Sequence, residues 1–211
     1  ARFFGAGDEK NLQRAVHTTV AFGLVAGVLM TGVGVALSPQ ILRWMDTPES
    51  VMRESVTYLQ IYFAGSLGFV MYNVLVGILQ AVGDSRHPLY YLIVSSVINL
   101  VLDLLFITGF HTGVGGAAVA TVISQIVSAL LCFWQLLRTK ESYGLKIRKI
   151  RFDKGILVQI IKIGLPSGVQ NSIIAFANVI VQSNINAFGE MAMAGYGAYT
   201  KVEGFGFLPI N

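Results

Sequence analysis

The stretch Leu89 to Phe110, LYYLIVSSVINLVLDLLFITGF, holds a single charge, Asp103, and it decides what this chain can fold into. An apolar run of about 20 residues is long enough to cross a bilayer as a helix. In hydrocarbon each backbone N–H and C=O must be satisfied within the protein, and a helix does this inside one segment. A carboxylate near the middle of such a helix costs roughly 2.5 to 3.5 kcal/mol, and intramembrane charges by default mark ion or substrate pathways. Helical spacing puts Ser95, Asn99 and Asp103 at i, i+4 and i+8 on one face, with Ser96 beside them.

Four further runs are nearly free of charge: Thr18 to Leu37, Tyr58 to Val82, Val114 to Leu137 and Ile163 to Phe188. A sixth begins near Met191 and carries Lys201 and Glu203 before the sequence stops at Asn211. Charged residues make up 12% of the chain, about half the usual share for a globular domain, and mean hydropathy is +0.66. These values exclude an ordinary soluble domain. The expected fold class is an all-α integral membrane protein, a polytopic helical bundle. Short connectors at Asp84 to Pro88 and His111 to Gly113 make neighbouring helices antiparallel. The first residue is Ala1 and the last lie inside an apolar run, so a piece of a longer protein is expected, with further helices of the same protein as its nearest partners.

Orientation follows from the basic residues. Arg2, Lys10, Arg14, Arg86 and eight residues from Arg138 to Lys162 fall on one side of five crossings, against Arg43 and Arg53 on the other. The positive-inside rule makes the richer side cytoplasmic. The basic segment then reads as a topology signal and linker, with membrane lipid and no nucleic acid as its surroundings. Three regions are expected: 1–137, a first helical lobe; 138–162, a basic cytoplasmic linker; and 163–211, the start of a second lobe.

With Leu89 at the cytoplasmic end, Asp103 lies about 20 Å along its helix. It stands eight residues before His111 and Thr121 ten after, so the two are level within about 3 Å. Asn99 and Ser124 match in the same way. A carboxylate, an amide oxygen and hydroxyls at one height are hard ligands for Na⁺, or surround an acid that holds a proton. The alternative is a neutral acid that joins two helices by hydrogen bonds.

A second polar stripe runs through Ser167, Asn171, Asn178 and Gln182, with Asn184 and Asn186 nearer its outer end. It lines a wet cavity or hydrogen-bonds to other helices. Tyr58, Tyr62, Tyr72 and Asn73 in the second run suit an organic cation, or, for the tyrosines, an interfacial belt. Catalytic readings fail. GAGD at Gly5 to Asp8 matches the G-x-G-D of intramembrane aspartyl proteases but lies outside a span. His17, His87 and His111 lack ligand spacing, Cys132 stands alone, and no P-loop is present. No enzyme activity and no cofactor is expected beyond a coupling ion, H⁺ or Na⁺.

Several stretches resemble the multidrug and toxic compound extrusion (MATE) transporters. GAGDEKNLQRA resembles the loop after the family's second helix, and LQAVGDSRHPLYYLIVSSVINLVLDLLFI its fourth-to-fifth helix junction. GVGGAAVATVISQ is similar to the start of the sixth helix and IGLPSGVQNSI to the start of the seventh. The resemblance covers nearly the whole chain, and the GVGGAA and G-D-S-R-x-P pieces are its most specific parts. It implies part of a twelve-helix transporter, from the end of the second helix into the eighth. It also implies a cation-coupled antiporter that exports drugs or other organic compounds, some cationic, from the inner membrane of a bacterium.

In the branch similar to the DNA-damage-inducible exporters, an Asn and an Asp four apart on the fifth helix and a Thr on the sixth bind the cation. Asn99, Asp103 and Thr121 match those positions. That branch also uses an Asp on the first helix, outside the part of the pattern matched here. Another branch uses a Glu early in the seventh helix, where Ser172, Ile173 and Ile174 stand, a departure that favours the first lobe. A related flippase for lipid-linked saccharides would carry a cationic cavity, which the scarcity of Lys and Arg in these spans opposes. A non-transporting scaffold would leave the polar stripes unexplained.

Overall fold

A computed structural model describes residues 1–44, 49–110, 113–186, 195, 196 and 199. Among the described residues seven helices follow in order: α1 (Arg2–Gly5), α2 (Glu9–Trp44), α3 (Glu49–Ala64), α4 (Ser66–Ala81), α5 (Arg86–Leu104), α6 (Gly113–Arg138) and α7 (Lys154–Asn186). A π turn, Leu105–Gly109, extends α5, and a 3₁₀ turn, Ile147–Lys149, lies between α6 and α7. No strand occurs among the described residues. Five helical stretches among the described residues are long and apolar enough to span a membrane: Glu9–Trp44, Met52–Ala81, Arg86–Gly109, Gly115–Arg138 and Lys154–Asn178. Leu29, Leu100 and Leu130 are each 60–61% exposed, as side chains facing lipid are. The chain is a multi-pass membrane protein.

Contacts divide the chain into two compact units, Ala1–Val158 and Gln159–Asn211. Most of the segment 138–162, expected as a linker, thus packs with the first unit. The core of that unit gathers Leu12, Val16 and Val20 of α2, Leu75 and Leu79 of α4, and Cys132 and Leu136 of α6.

Local chemistry sets the helix ends. Gly7, at φ 65°, turns the chain so that Asp8 caps α2. The Asn11 N–H donates to Asp8 Oδ1 at 3.1 Å and Asn11 Nδ2 to Oδ2 at 2.6 Å. Chiefly through these bonds, the Asp8 carboxyl is held below its ordinary 3.8. The cap therefore contributes its full stability above that value and loses it as pH falls through the lowered one. The GAGD stretch is a capping turn.

The α4–α5 turn is a Schellman motif. The Asp84 N–H donates to Leu79 O at 2.9 Å and the Gly83 N–H to Gln80 O at 3.0 Å, with Gly83 at φ 87°. Asp84 then opens α5, its Oδ1 accepting the His87 N–H at 3.2 Å and its Oδ2 pairing with His87 Nδ1 at 2.7 Å. An L side chain at this φ costs about 1–2 kcal/mol. Gly83→Ala is expected to lower stability by that amount in denaturant unfolding of the detergent-solubilised protein.

The expected second run, Tyr58 to Val82, is two helices that meet at Gly65. A Cβ on Gly65 would collide with the Val122 side chain of α6, so the missing side chain lets α6 approach the joint. Hydrogen bonding continues through it: the Gly65 N–H donates to Ile61 O and Tyr62 O, and the Phe69 N–H to Gly65 O at 3.2 Å. Along α2, Gly23 packs against Val74, Gly27 against Leu67 and Gly34 against Phe63. Gly32 meets nothing within 4 Å and takes no part in this seam. In α7 the helix starts at Lys154, where Asp153 Oδ1 accepts the Gly155 and Ile156 N–H groups at 3.1 and 3.2 Å. Pro166 therefore lies in the helix interior and does not start it.

Candidate functional site

The polar stripe of α5 is its inward face. Leu92, Ile93, Val94, Val97, Leu100 and Val101 are exposed, whereas Ser95 is buried and Asn99 and Asp103 are half-buried. Ser95 Oγ donates to Leu92 O at 3.1 Å, its own helix. Asn99 Nδ2 and Asp103 Oδ1 are both buried atoms with no hydrogen-bond partner among the described residues. Leaving such a group unpaired costs about 1–3 kcal/mol, and more for a charged one. Two of them lie one turn apart on one face of α5.

α6 packs along α5, and the Tyr91 hydroxyl donates to Gln135 Oε1 at 3.3 Å to tie the two. Helical periodicity puts Thr121, Ser124 and Ser128 on the same face of α6 as Gln135, at offsets of fourteen, eleven and seven residues. Counting back from the Tyr91–Gln135 bond in this antiparallel pair brings Asp103 level with Ile123, and Thr121 within about 3 Å of that height. Thr121 Oγ1 donates to Ala117 O at 3.0 Å and Ser124 Oγ to Thr121 O at 2.8 Å. With its proton so engaged, Thr121 Oγ1 offers lone pairs alone.

Three residues absent from the sequence reading belong to this region. Ser128 is buried, and Gln135 anchors Tyr91. Their signal was the spacing shared with Thr121. The third, Thr31 of α2, has a buried Oγ1 without a partner among the described residues. It lies between Gly27 and Gly34, which pack on Leu67 and Phe63, and so is level with Gly65 and with Val122 beside it. By these counts Thr31, Thr121 and Asp103 fall at about the same height in the bundle. The π turn begins two residues beyond Asp103, where the Phe110 N–H donates to Leu105 O at 3.1 Å. Such widened turns are frequent at functional sites.

The remaining candidates have surroundings of their own. Tyr72 is half-buried against the core, whereas Asn73 is exposed and donates to Phe69 O of its own helix at 2.8 Å. Tyr58 and Tyr62 stack at 6.4 Å. On α7, Ser167, Asn171 and Asn178 are exposed, with Ser167 Oγ donating to Ile163 O at 3.1 Å. The Gln182 side chain, His111, Lys201 and Glu203 lie outside the described residues.

A family model, MatE, matches residues 1–105. The relative named "Probable multidrug resistance protein YoeA" of Bacillus subtilis (strain 168) is 32% identical over 213 residues, covering 98% of this chain and 46% of that protein. Two solved structures of a multidrug resistance MATE family transporter of the MOP superfamily superpose on it. The outward-facing one gives a TM-score of 0.89 at 27% identity, over 99% of this chain and 47% of that one. The inward-facing one gives 0.83 at 29% identity, over 100% and 48%. The chain spans about half the length of these proteins. In sequence and in fold, the chain belongs to the MATE family.

Proposed function

We propose that this chain is part of a cation-coupled antiporter, driven by H⁺ or Na⁺, that exports drugs or other organic compounds from a bacterial cell by alternating access. The observation that carries the reading is the adjacent pair of unpaired buried atoms, Asn99 Nδ2 and Asp103 Oδ1. A proton or a small hard cation on Asp103 removes the cost of its charge, with Asn99 and Thr121 supplying oxygen ligands and Ser95 and Ser124 the adjoining polar wall. Loading and release then bias the bundle between two states, because the site's free energy differs between them. One charge that enters down 100 mV supplies about 2.3 kcal/mol, enough for roughly a 40-fold substrate gradient. Residues 1–137 would supply most of a first lobe and 163–211 the start of a second. Tyr72, Asn171, Asn178 and Gln182 would supply aromatic and polar contacts to the organic substrate. The names of the similar proteins, which carry multidrug resistance, support the substrate class.

The test is dye efflux from proteoliposomes that hold the full-length protein. Export is expected when an inward H⁺ or Na⁺ gradient is imposed and is expected to stop when that gradient is collapsed with an ionophore. Undiminished export with both gradients absent would overturn the coupling.

A further inference from the structure

Positive-inside topology asks only that basic residues lie on one side of the membrane, whereas here they are built into a cavity. Beyond α6 the chain folds back onto the first turns of α2. The Leu145 N–H donates to Leu136 O at 2.8 Å, and the Leu145 side chain is buried in the core. Gln13 Nε2 donates to Ser142 O at 2.7 Å, the Lys146 N–H to His17 Nε2 at 3.1 Å and the Asp153 N–H to Thr18 Oγ1 at 3.1 Å. These bonds hold open a cavity of about 690 Å³ with the buried side chains of His17 and Thr18 in its lining.

Lys10, Lys146, Arg148, Lys149 and Arg151 also line it. Its two acids are already engaged: Asp153 Oδ2 lies 3.8 Å from Arg14, and Glu9 Oε1 accepts the Ser142 hydroxyl at 2.6 Å. Among the described residues, none of those five cations has an acidic partner within 4 Å. The cavity thus presents positive charge that the protein itself does not neutralise.

Its height narrows the ligand. Thr18 is where the charge-free run of α2 begins, and Glu9 lies nine residues, about 14 Å, further out. The part of that interval nearest Thr18 falls in the headgroup layer, about 5–7 Å deep, on the side made cytoplasmic by the positive-inside rule. Ile147 and Phe152, 60% and 47% exposed, alternate with the cations along the same loop. Apolar side chains among basic ones serve a membrane boundary, where each Lys or Arg near an anionic leaflet contributes about fivefold in affinity. A dissolved anion would have no use for the apolar pair. We propose that this cavity seats the phosphate headgroup of an anionic phospholipid of the inner leaflet.

Native mass spectrometry of the full-length protein, exchanged into mixed phosphatidylcholine and phosphatidylglycerol, tests this. The unsubstituted protein is expected to retain phosphatidylglycerol over phosphatidylcholine. Combined Arg148→Gln, Lys149→Gln and Arg151→Gln is expected to lower that preference by roughly tenfold or more. Lys140→Gln, Lys154→Gln and Lys162→Gln remove equal charge outside the cavity and are expected to leave it intact. The double change Lys10→Gln with Lys149→Gln leaves the loop's buried bonds in place and is expected to act in the same direction. Equal retention in the cavity variants and the control would overturn the site. Inorganic phosphate that binds in lipid-free detergent with no preference for phosphatidylglycerol would overturn the lipid as its source.

Discussion

Asp103→Asn in the full-length protein is expected to abolish gradient-driven efflux and leave the protein folded. The substitution keeps the size and one acceptor oxygen of the side chain but removes the only charge between Leu89 and Phe110, so no proton or cation can be exchanged there. The roughly 40-fold accumulation that one coupled charge sustains at 100 mV falls to no gradient at all. Because Asp103 Oδ1 already lacks a hydrogen-bond partner, the amide breaks no existing bond to that atom, and thermal stability is expected to hold or rise. Efflux in proteoliposomes under an imposed H⁺ or Na⁺ gradient, beside a melting curve of the same sample, separates the two effects. Export at the unsubstituted rate would remove Asp103 from the mechanism.

His17→Phe is expected to have the largest effect on stability. His17 is 4% exposed, with Nδ1 2.6 Å from Gln13 O and Nε2 accepting the Lys146 N–H at 3.1 Å. The second bond requires a bare ring nitrogen, so the proton sits on Nδ1 and is donated to Gln13 O. Phenylalanine fills the same space but leaves the Lys146 N–H without an acceptor, and the two lost bonds together cost about 2–4 kcal/mol. The loss is expected in the unfolding midpoint and in faster proteolysis within 139–153, with His17→Gln, which keeps a donor and an acceptor, falling between. Unchanged stability and protection in His17→Phe would mean that the ring does not hold the loop to α2.

The spans, their order and the stripe of α5 were legible because each depends on one local property, the absence of charge or a fixed helical offset. Ser95, Asn99 and Asp103 needed only a period of four, and Thr121 only a count through the turn. Gly65 was not legible. It lies within an apolar run, and the reason for a glycine there, the Val122 side chain, is supplied by a helix far away in sequence. The fold of 139–153 was hidden for a similar reason. His17 and Thr18 look like the ordinary start of a span, and their buried polar atoms matter only once the loop has returned to them. Asn73 shows the opposite limit, since an amide in a span can satisfy itself on its own helix and face outward.

The glycine contacts of α2 and of the α3–α4 joint divide the molecule into two regimes of mutational tolerance. At Gly34 and Gly65 even one added carbon collides with Phe63 or Val122, so nearly every codon change is harmful whatever its polarity. At Leu100 and Val101, which are exposed on a membrane-spanning helix, any apolar side chain keeps the helix soluble in hydrocarbon. Sequence drift in this protein is therefore confined by contact on one side and by solubility in hydrocarbon on the other, and position in the bundle determines which rule applies.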